Sequence, residues 1–261
     1  MSPDLVERAE RLRALHQGPA PLILANAWDV ASALAVERAG ASAIATTSGG
    51  VASSLGYPDG EAIPPGEMLA AVARIAAAVK LPVTADLEAG YGLDAHDLVE
   101  GLLAAGAVGM NLEDTDRSVD PLGLVAAERQ AERLAAVRQA ATNLGVPVII
   151  NARIDVFLRG SGPPVTLVDE AIRRGRAYLA AGADCLFPIG LVVADAIGRF
   201  VGEMAAPVNV LLRPGAPSIA TLADLGVRRI SVGSGLAHRA MDDAEALARR
   251  LLAGDGSPFT L

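Results

Sequence analysis

The sequence predicts an α/β fold: a single (β/α)8 barrel of the TIM type with an N-terminal helix before it. Three observations predict it. Short apolar runs alternate with longer Ala/Leu/Arg-rich amphipathic stretches along nearly the whole chain. The apolar runs are continuous rather than alternating, as strands covered on both faces require. Glycine recurs where a helix hands over to the next strand, in Ala39-Gly40-Ala41, Ala105-Gly106-Ala107, Leu144-Gly145-Val146 and Ala181-Gly182-Ala183. No composition break divides the chain, so residues 1–261 read as one domain. A doubly wound sheet is the alternative, but no glycine fingerprint follows the first strand.

In chain order, Asp4–His16 carries Leu5, Ala9, Leu12 and Leu15 at helical spacing and predicts the N-terminal helix. Strands are predicted over Leu22–Ala25, Ala43–Thr47, Val83–Leu87, Val108–Leu112, Val146–Asn151, Cys185–Ile189, Val208–Leu212 and Ile230–Val232. Helices are predicted over Val30–Ala39, Gly66–Val79, Ala95–Ala105, Val125–Asn143, Leu167–Ala181, Val193–Met204, Ser218–Leu225 and Leu236–Leu252. Asp94, with Asp97 three residues on, resembles a capping box. His16, His96 and His238 fall on helices or their ends and read as surface residues. Cys185 reads as inert core, and Asn209 as a buried hydrogen-bonding residue.

Composition narrows the function. The formal net charge of −8 and a pI near 4.9 argue against nucleic acid, which needs a basic face. Aromatic residues make up 3% of the chain, too few to stack bases. No apolar run reaches the roughly 18 residues of a membrane span, and the N-terminus does not read as a signal peptide. One cysteine rules out an intrachain disulfide and suits a cytoplasmic protein. Lys80 is the sole lysine and sits where a helix ends, which disfavours Schiff-base chemistry.

In such a barrel the site lies at the C-terminal ends of the strands. The stretch from Pro82 to Gly92 organises the rest. Asp86 and Glu88 stand two apart, which on a strand puts both carboxylates on one face. Two acids at the end of a buried strand repel each other and lose hydration, and a divalent cation compensates both. Asp59, Asp86, Glu88 and Glu113 converge from three consecutive units. As hard oxygen donors they suit Mg2+, with Mn2+ as a substitute. Arg153 offers a planar fork to a substrate carboxylate. Ser48 and the backbone N–H groups of Gly49 and Gly50 could hold a second oxyanion. The set fits a small anionic substrate chelated through a 2-oxo or enolate oxygen.

Val51–Pro65 and Thr115–Leu124 read as long loops of the kind that serve as lids. Plainer readings stand beside these. Arg153 could simply neutralise Asp155, Pro58-Asp59-Gly60 could be an ordinary turn, and Glu113-Asp114 could cap a loop. Asn26 and Asn111 could serve strand-end backbone. Ser231-Val232-Gly233-Ser234-Gly235, with Arg213, resembles a phosphate cup and forms a competing site.

Ala85-Asp86-Leu87-Glu88-Ala89-Gly90-Tyr91-Gly92, then Asn111-Leu112-Glu113-Asp114 and Asn151-Ala152-Arg153, resembles the isocitrate lyase/phosphoenolpyruvate mutase superfamily. The likeness extends to Asn26-Ala27-Trp28-Asp29-Val30, Thr47-Ser48-Gly49-Gly50 and Asp59, and so covers nearly the whole chain. It implies a Mg2+-dependent barrel that makes or breaks C–C or P–C bonds of 2-oxo acids through a pyruvate enolate. By the same resemblance Asp86 is the direct metal ligand, and Asp59, Glu88 and Glu113 act through water. Thr47, Ser48, Gly49, Gly50, Asp86, Asn111 and Arg153 bind substrate, and Ser48, Asp59, Glu113 and Arg153 carry the catalytic roles.

The lid departs from the family. Thr115-Asp116-Arg117-Ser118-Val119-Asp120-Pro121-Leu122-Gly123 has none of the Cys, Lys or His of the isocitrate and methylisocitrate lyases. It also lacks the Lys and Asn-Ser of the phosphonopyruvate-forming mutases, with Ser118 or Arg117 as the available substitutes, and the chain resembles a short, lid-reduced branch. The expected function is therefore C–C cleavage, by retro-aldol or decarboxylation, of a small 2-oxo or hydroxy di- or tricarboxylic acid. A phosphonomutase or phosphonopyruvate hydrolase is the alternative, and a non-catalytic 2-oxo acid binder is a third. The family also implies a homo-oligomer, dimer or tetramer, often built by exchange of a C-terminal helix.

Overall fold

A computed structural model describes residues 3–118 and 123–257. The chain opens with α1 (Pro3–Leu15), β1 (Leu22–Leu24), β2 (Asn26–Ala27), α2 (Val30–Arg38) and β3 (Ile44–Thr46). Next come α3 (Ser48–Ser54), α4 (Pro65–Ala78), β4 (Val83–Asp86), α5 (Ala95–Ala104) and β5 (Gly109–Glu113). A small antiparallel hairpin, β6 (Thr115–Asp116) with β7 (Gly123–Leu124), precedes α6 (Ala127–Asn143) and β8 (Ile149–Ile154). The chain continues through α7 (Val156–Arg159), α8 (Pro164–Ala180), β9 (Cys185–Pro188) and α9 (Ala194–Gly202). It closes with β10 (Asn209–Leu211), α10 (Ile219–Asp224), β11 (Arg229–Ser231) and α11 (Gly235–Leu252).

The expected α/β architecture is present. Parallel strands run β2-β3-β4-β5-β8-β9 in one ladder and β1-β11-β10 in another. Two joints connect the ladders. β1 and β2 are one strand interrupted at Ala25, and Asn26 spans that joint, its Nδ2 donating to the Thr46 carbonyl at 2.9 Å and its Oδ1 accepting from Val232 N–H at 2.9 Å. On the other side, Leu186 bridges to Val208, and its N–H reaches the Pro207 carbonyl at 3.0 Å. The backbone-serving reading of Asn26 therefore holds.

The helices pack as their patterns dictate. In α4, Met68, Val72, Ile75 and Ala76 are buried, and in α5 Leu98, Val99, Leu102 and Leu103 are. These are single faces at helical spacing. Each fully buried Leu or Ile contributes about 2 kcal/mol. Asp94 caps α5 by accepting from Asp97 N–H at 2.9 Å, while the reciprocal capping box occurs at Asp29 and Ser32, where it was not expected. On α1, Ala9 and Leu12 are fully buried. A Cβ at Gly109 would lie 2.9 Å from Leu12 Cδ2 and 3.0 Å from Thr84 Oγ1, so a larger residue there would make Leu12 of α1 shift.

Several expectations change. Val51–Pro65 is not loop throughout, because its start belongs to α3, and α7 follows β8 directly. Within Thr115–Leu124, which was expected to be loop, Thr115–Asp116 and Gly123–Leu124 pair as the short strands β6 and β7, and Val119–Leu122 lies outside the described residues. His16 is buried rather than on the surface, while His96 and His238 are exposed. Cys185 is free and buried, with its thiol pushed up to about 12 by burial, and Asn209 is buried with Nδ2 on Ser231 Oγ at 3.3 Å. Both match their expected roles. Helix α11 buries only Ala237 among the described residues, leaving Leu236, Met241, Leu251 and Leu252 exposed. No helix among the described residues is long and apolar enough to cross a membrane.

Candidate active site at the strand C-termini

Asp86 ends β4, and every polar edge of it is held. Its N–H donates to Thr46 Oγ1 at 3.0 Å. Oδ2 accepts from Ser48 N–H at 3.1 Å and Ser48 Oγ at 2.8 Å, and Oδ1 accepts from Asn111 Nδ2 at 3.2 Å. Neighbouring strands supply these groups because β3, β4 and β5 are in parallel register, with Asp86 beside Asn111.

Glu88 reaches the rim by a different route from the one expected. The strand ends at Asp86, so simple alternation does not place Glu88; it sits at φ 48°. Glu61 and Tyr91 also lie in the left-handed region, at φ 63° and 56°. Non-glycine residues there are strained and need outside support. These three support one another. Glu88 Oε1 accepts from Glu61 N–H at 3.1 Å and from Tyr91 Oη at 2.8 Å, and Glu61 Oε1 accepts from Tyr91 N–H at 2.6 Å. The loop after α3 is thereby tied to the loop after β4.

A cavity of about 370 Å3 opens above these groups. Ser48, Asp59, Glu88 and Glu113 line it, together with Arg117, Arg153 and Arg159. Asp59 approaches Ser48 Oγ, with 3.5 Å between the oxygens. A Cβ on Gly49 would lie 3.0 Å from Asp59 Oδ2, so this glycine admits the carboxylate. Gly50 is needed for packing: a Cβ there would meet Thr47 Cγ2 at 2.7 Å and Trp28 Cβ at 2.9 Å. Both glycines lie in the first turn of α3 rather than in a bare turn. Thr47 turns away from the carboxylates, its Oγ1 2.8 Å from Ser234 Oγ.

Arg117 is the residue that sequence reasoning undervalued. Its Nη2 bridges Glu88 Oε2 at 2.9 Å and Glu113 Oε1 at 2.5 Å, and its Nε lies 3.2 Å from Glu61 Oε2. Arg153 is not a free fork. Nε and Nη2 grip both oxygens of Asp155, at 2.7 and 2.9 Å, and Nη1 pairs with Glu113 Oε2 at 2.7 Å. That last contact is an ion pair without hydrogen-bond alignment, so Glu113 Oε2 has no hydrogen-bond donor. Asp114 faces away into a fully buried network of Arg174, Tyr178 and the Asp155 N–H, which makes it structural. Its charge pattern alone did not separate it from Glu113.

Burial pushes Glu88 up to about 7 and Glu113 up to about 8 despite their arginines. Glu88 is raised further by Asp86 and Asp59, and Glu113 by Asp155 and Asp86. With Asp86 and Glu61 beside the cavity's Asp59, Glu88 and Glu113, five carboxyls face the three arginines Arg117, Arg153 and Arg159. Among the described residues no three acidic, His or Cys side chains converge as direct ligands of one ion. The donor chemistry still fits a hard divalent cation held by one carboxylate and, through water, by the others. The alternative phosphate cup is occupied by internal contacts, with Ser234 on Thr47 and Ser231 on Asn209.

The family described as "Phosphoenolpyruvate phosphomutase" matches residues 12–252. An uncharacterized protein of Mycobacterium tuberculosis (strain ATCC 25618 / H37Rv) is 36% identical, over 90% of each chain. An oxaloacetate decarboxylase of Bradyrhizobium sp. (strain BTAi1) is 34% identical, over 70% of this chain and 64% of its own. A crystal structure from Burkholderia cenocepacia J2315, provisionally assigned as a phosphonomutase, superposes with a TM-score of 0.88 at 41% identity, covering 94% of this chain and 99% of that one.

Proposed function

The chain belongs to the phosphoenolpyruvate phosphomutase family, and on that premise we propose that it is a Mg2+-dependent lyase. Its substrate is a small 2-oxo or hydroxy di- or tricarboxylic acid, cleaved at a C–C bond. The observation that carries the reading is the acid-rich rim: Asp86 fixed by Ser48 and Asn111, beside a cavity lined by Asp59, Glu88 and Glu113. The similarity to an oxaloacetate decarboxylase supports the bond type.

Asp86 would hold the cation directly, with Asp59, Glu88 and Glu113 binding its waters. When bound, Mg2+ or Mn2+ supplies positive charge beside the substrate's 2-oxo oxygen. The chain's own groups do the rest. The backbone N–H groups of Gly49 and Gly50, on the turn that Ser48 ties to Asp86, would orient one anionic group of the substrate, and Arg153, held rigid by Asp155, lines the cavity as the cation for another. Thr47 and Asn111 support that wall from behind. Glu113 lines the cavity, and its Oε2 has no hydrogen-bond donor, so it is placed to pass a proton to the reacting carbon. The β6–β7 hairpin brings Arg117 over the acids as a cation from the chain itself.

A second reading, cleavage or rearrangement at a P–C bond, is favoured by the family description and the Burkholderia structure. Oxaloacetate, malate homologues and phosphonopyruvate, each incubated with Mg2+ and with EDTA, separate the two. Turnover of a carboxylic acid alone supports the lyase. Turnover of phosphonopyruvate alone moves the assignment to the second reading, and Mg2+-dependent stabilisation by oxalate without turnover moves it to a binding protein. Asp86→Ala is expected to abolish Mg2+ and oxalate binding while the barrel stays folded by circular dichroism. Unchanged affinity would remove the site assignment.

Residues 1–261 would act as one barrel domain, in the cytoplasm, with neither nucleic acid nor membrane as a partner. The assembly would be a homo-oligomer, dimer or tetramer, joined through α11.

A further inference from the structure

Arg229 is a fully buried arginine with no acidic partner among the described residues. It leaves β11, yet its contacts are on β5 and at the end of α1. Neither is adjacent to β11 in the strand order, so the side chain crosses the barrel interior. Nη2 donates to Asn111 Oδ1 at 3.1 Å, and Nη1 faces His16 Nε2 at 3.4 Å. Nε has no partner. His16 Nδ1 lies 2.8 Å from the Leu12 carbonyl, which can only accept, so Nδ1 carries the proton and Nε2 is free to accept. Both partners of the guanidinium are therefore neutral acceptors.

Asn111 is the junction. Its Oδ1 accepts from Asn151 Nδ2 at 2.8 Å and from Arg229. With the oxygen fixed by two donors, the amide has one orientation left, and Nδ2 must face Asp86 Oδ1 at 3.2 Å. A neutral amide between two charges passes polarisation as well as geometry.

We propose that Arg229 is a positioning residue of the rim: through Asn111 it locks the Asp86 carboxylate in the orientation that captures a divalent cation. The inference rests on the metal reading above and adds to it a residue deep in the barrel. A purely structural role predicts something else. An unpaired buried cation costs several kcal/mol, and an apolar replacement of similar volume is often neutral or stabilising. Arg229 as mere filling would leave cation affinity unchanged when replaced.

The test titrates Mn2+ alone into the full chain, counting free ion by electron paramagnetic resonance, beside a thermal melt in EDTA. Arg229→Met is expected to lose about 10- to 100-fold in Mn2+ affinity, the usual cost of removing a supporting partner of a ligand. Its Tm in EDTA stays level or rises. Arg229→Lys, which keeps a charge and an N–H donor, recovers most of the affinity. Wild-type affinity in Arg229→Met overturns the inference and leaves the site reading intact. Absence of Mn2+ binding by the unmodified protein overturns both. Should Arg229→Met fail to fold, Arg229→Gln is titrated in its place against the same two outcomes.

Discussion

At the scale of single residues, the rim is a balance between buried acids and a few arginines. Arg117 touches Glu61, Glu88 and Glu113, and removing it leaves the last two buried with less compensation. Breaking such a pair from one side typically costs 3–5 kcal/mol. Arg117→Met is therefore expected to lose about 3 kcal/mol at pH 8 in EDTA, measured by urea unfolding. The loss shrinks at pH 6, below the values near 7 and 8 at which Glu88 and Glu113 titrate, because protonated carboxyls no longer need the cation. An equal loss at both pH values would show that Arg117 acts by packing. Gly49 makes a smaller point at the same scale, since its missing Cβ is what lets Asp59 stand beside Ser48.

At the scale of elements, α11 stands apart from the other helices. Its apolar residues Leu236, Met241, Leu247, Leu251 and Leu252 are exposed, whereas α4 and α5 bury theirs. On the barrel wall, Ile23 of β1 is also exposed, beside a cavity of about 830 Å3 lined by Leu15, Leu22, Trp28 and Val36. An apolar helix face and an apolar groove of this size are each unfavourable in water. Joining them between two copies would bury both. Met241→Glu with Leu251→Glu is expected to shift the protein toward monomer in light scattering while far-ultraviolet dichroism is kept. A monomeric unmodified protein, or an assembly that survives both changes, would refute the joint.

At the scale of the whole molecule, two buried titrating sets give stability a pH window. Glu88 and Glu113 are raised from 4.5 to about 7 and 8, so the native state binds more protons than the unfolded chain between those values. Their contribution is complete below about 4.5 and is lost as pH rises through 7 to 8. His16 is lowered from 6.5 to about 4, first by burial and then by Arg229, with Asp184 and Arg13 also nearby. Its contribution is present above 6.5 and is lost as pH falls through about 4, a change on the order of 3 kcal/mol. In EDTA, Tm is expected to be highest between these limbs. His16→Asn, which keeps a donor for the Leu12 carbonyl, flattens the acid limb alone. An unchanged acid limb would show that other groups set it.

Periodicity alone determined much of this protein. Eight apolar runs, their intervening amphipathic stretches and the glycines between them specified the parallel α/β architecture, because burial on two faces imposes its pattern within a short window. The acids at the strand ends were legible for the same reason: Asp86 interrupts a predicted apolar run, and Glu88 and Glu113 directly follow the ends of two. What only the tertiary structure decided is which groups face them. Glu88 reaches the rim through a left-handed backbone, not strand alternation, and Arg153 is already gripped by Asp155. Arg229 meets Asn111 across 118 positions of sequence and His16 across 213. Such pairings follow from closing the strands around a common interior, where any inward side chain can meet any other, and no local spacing encodes them.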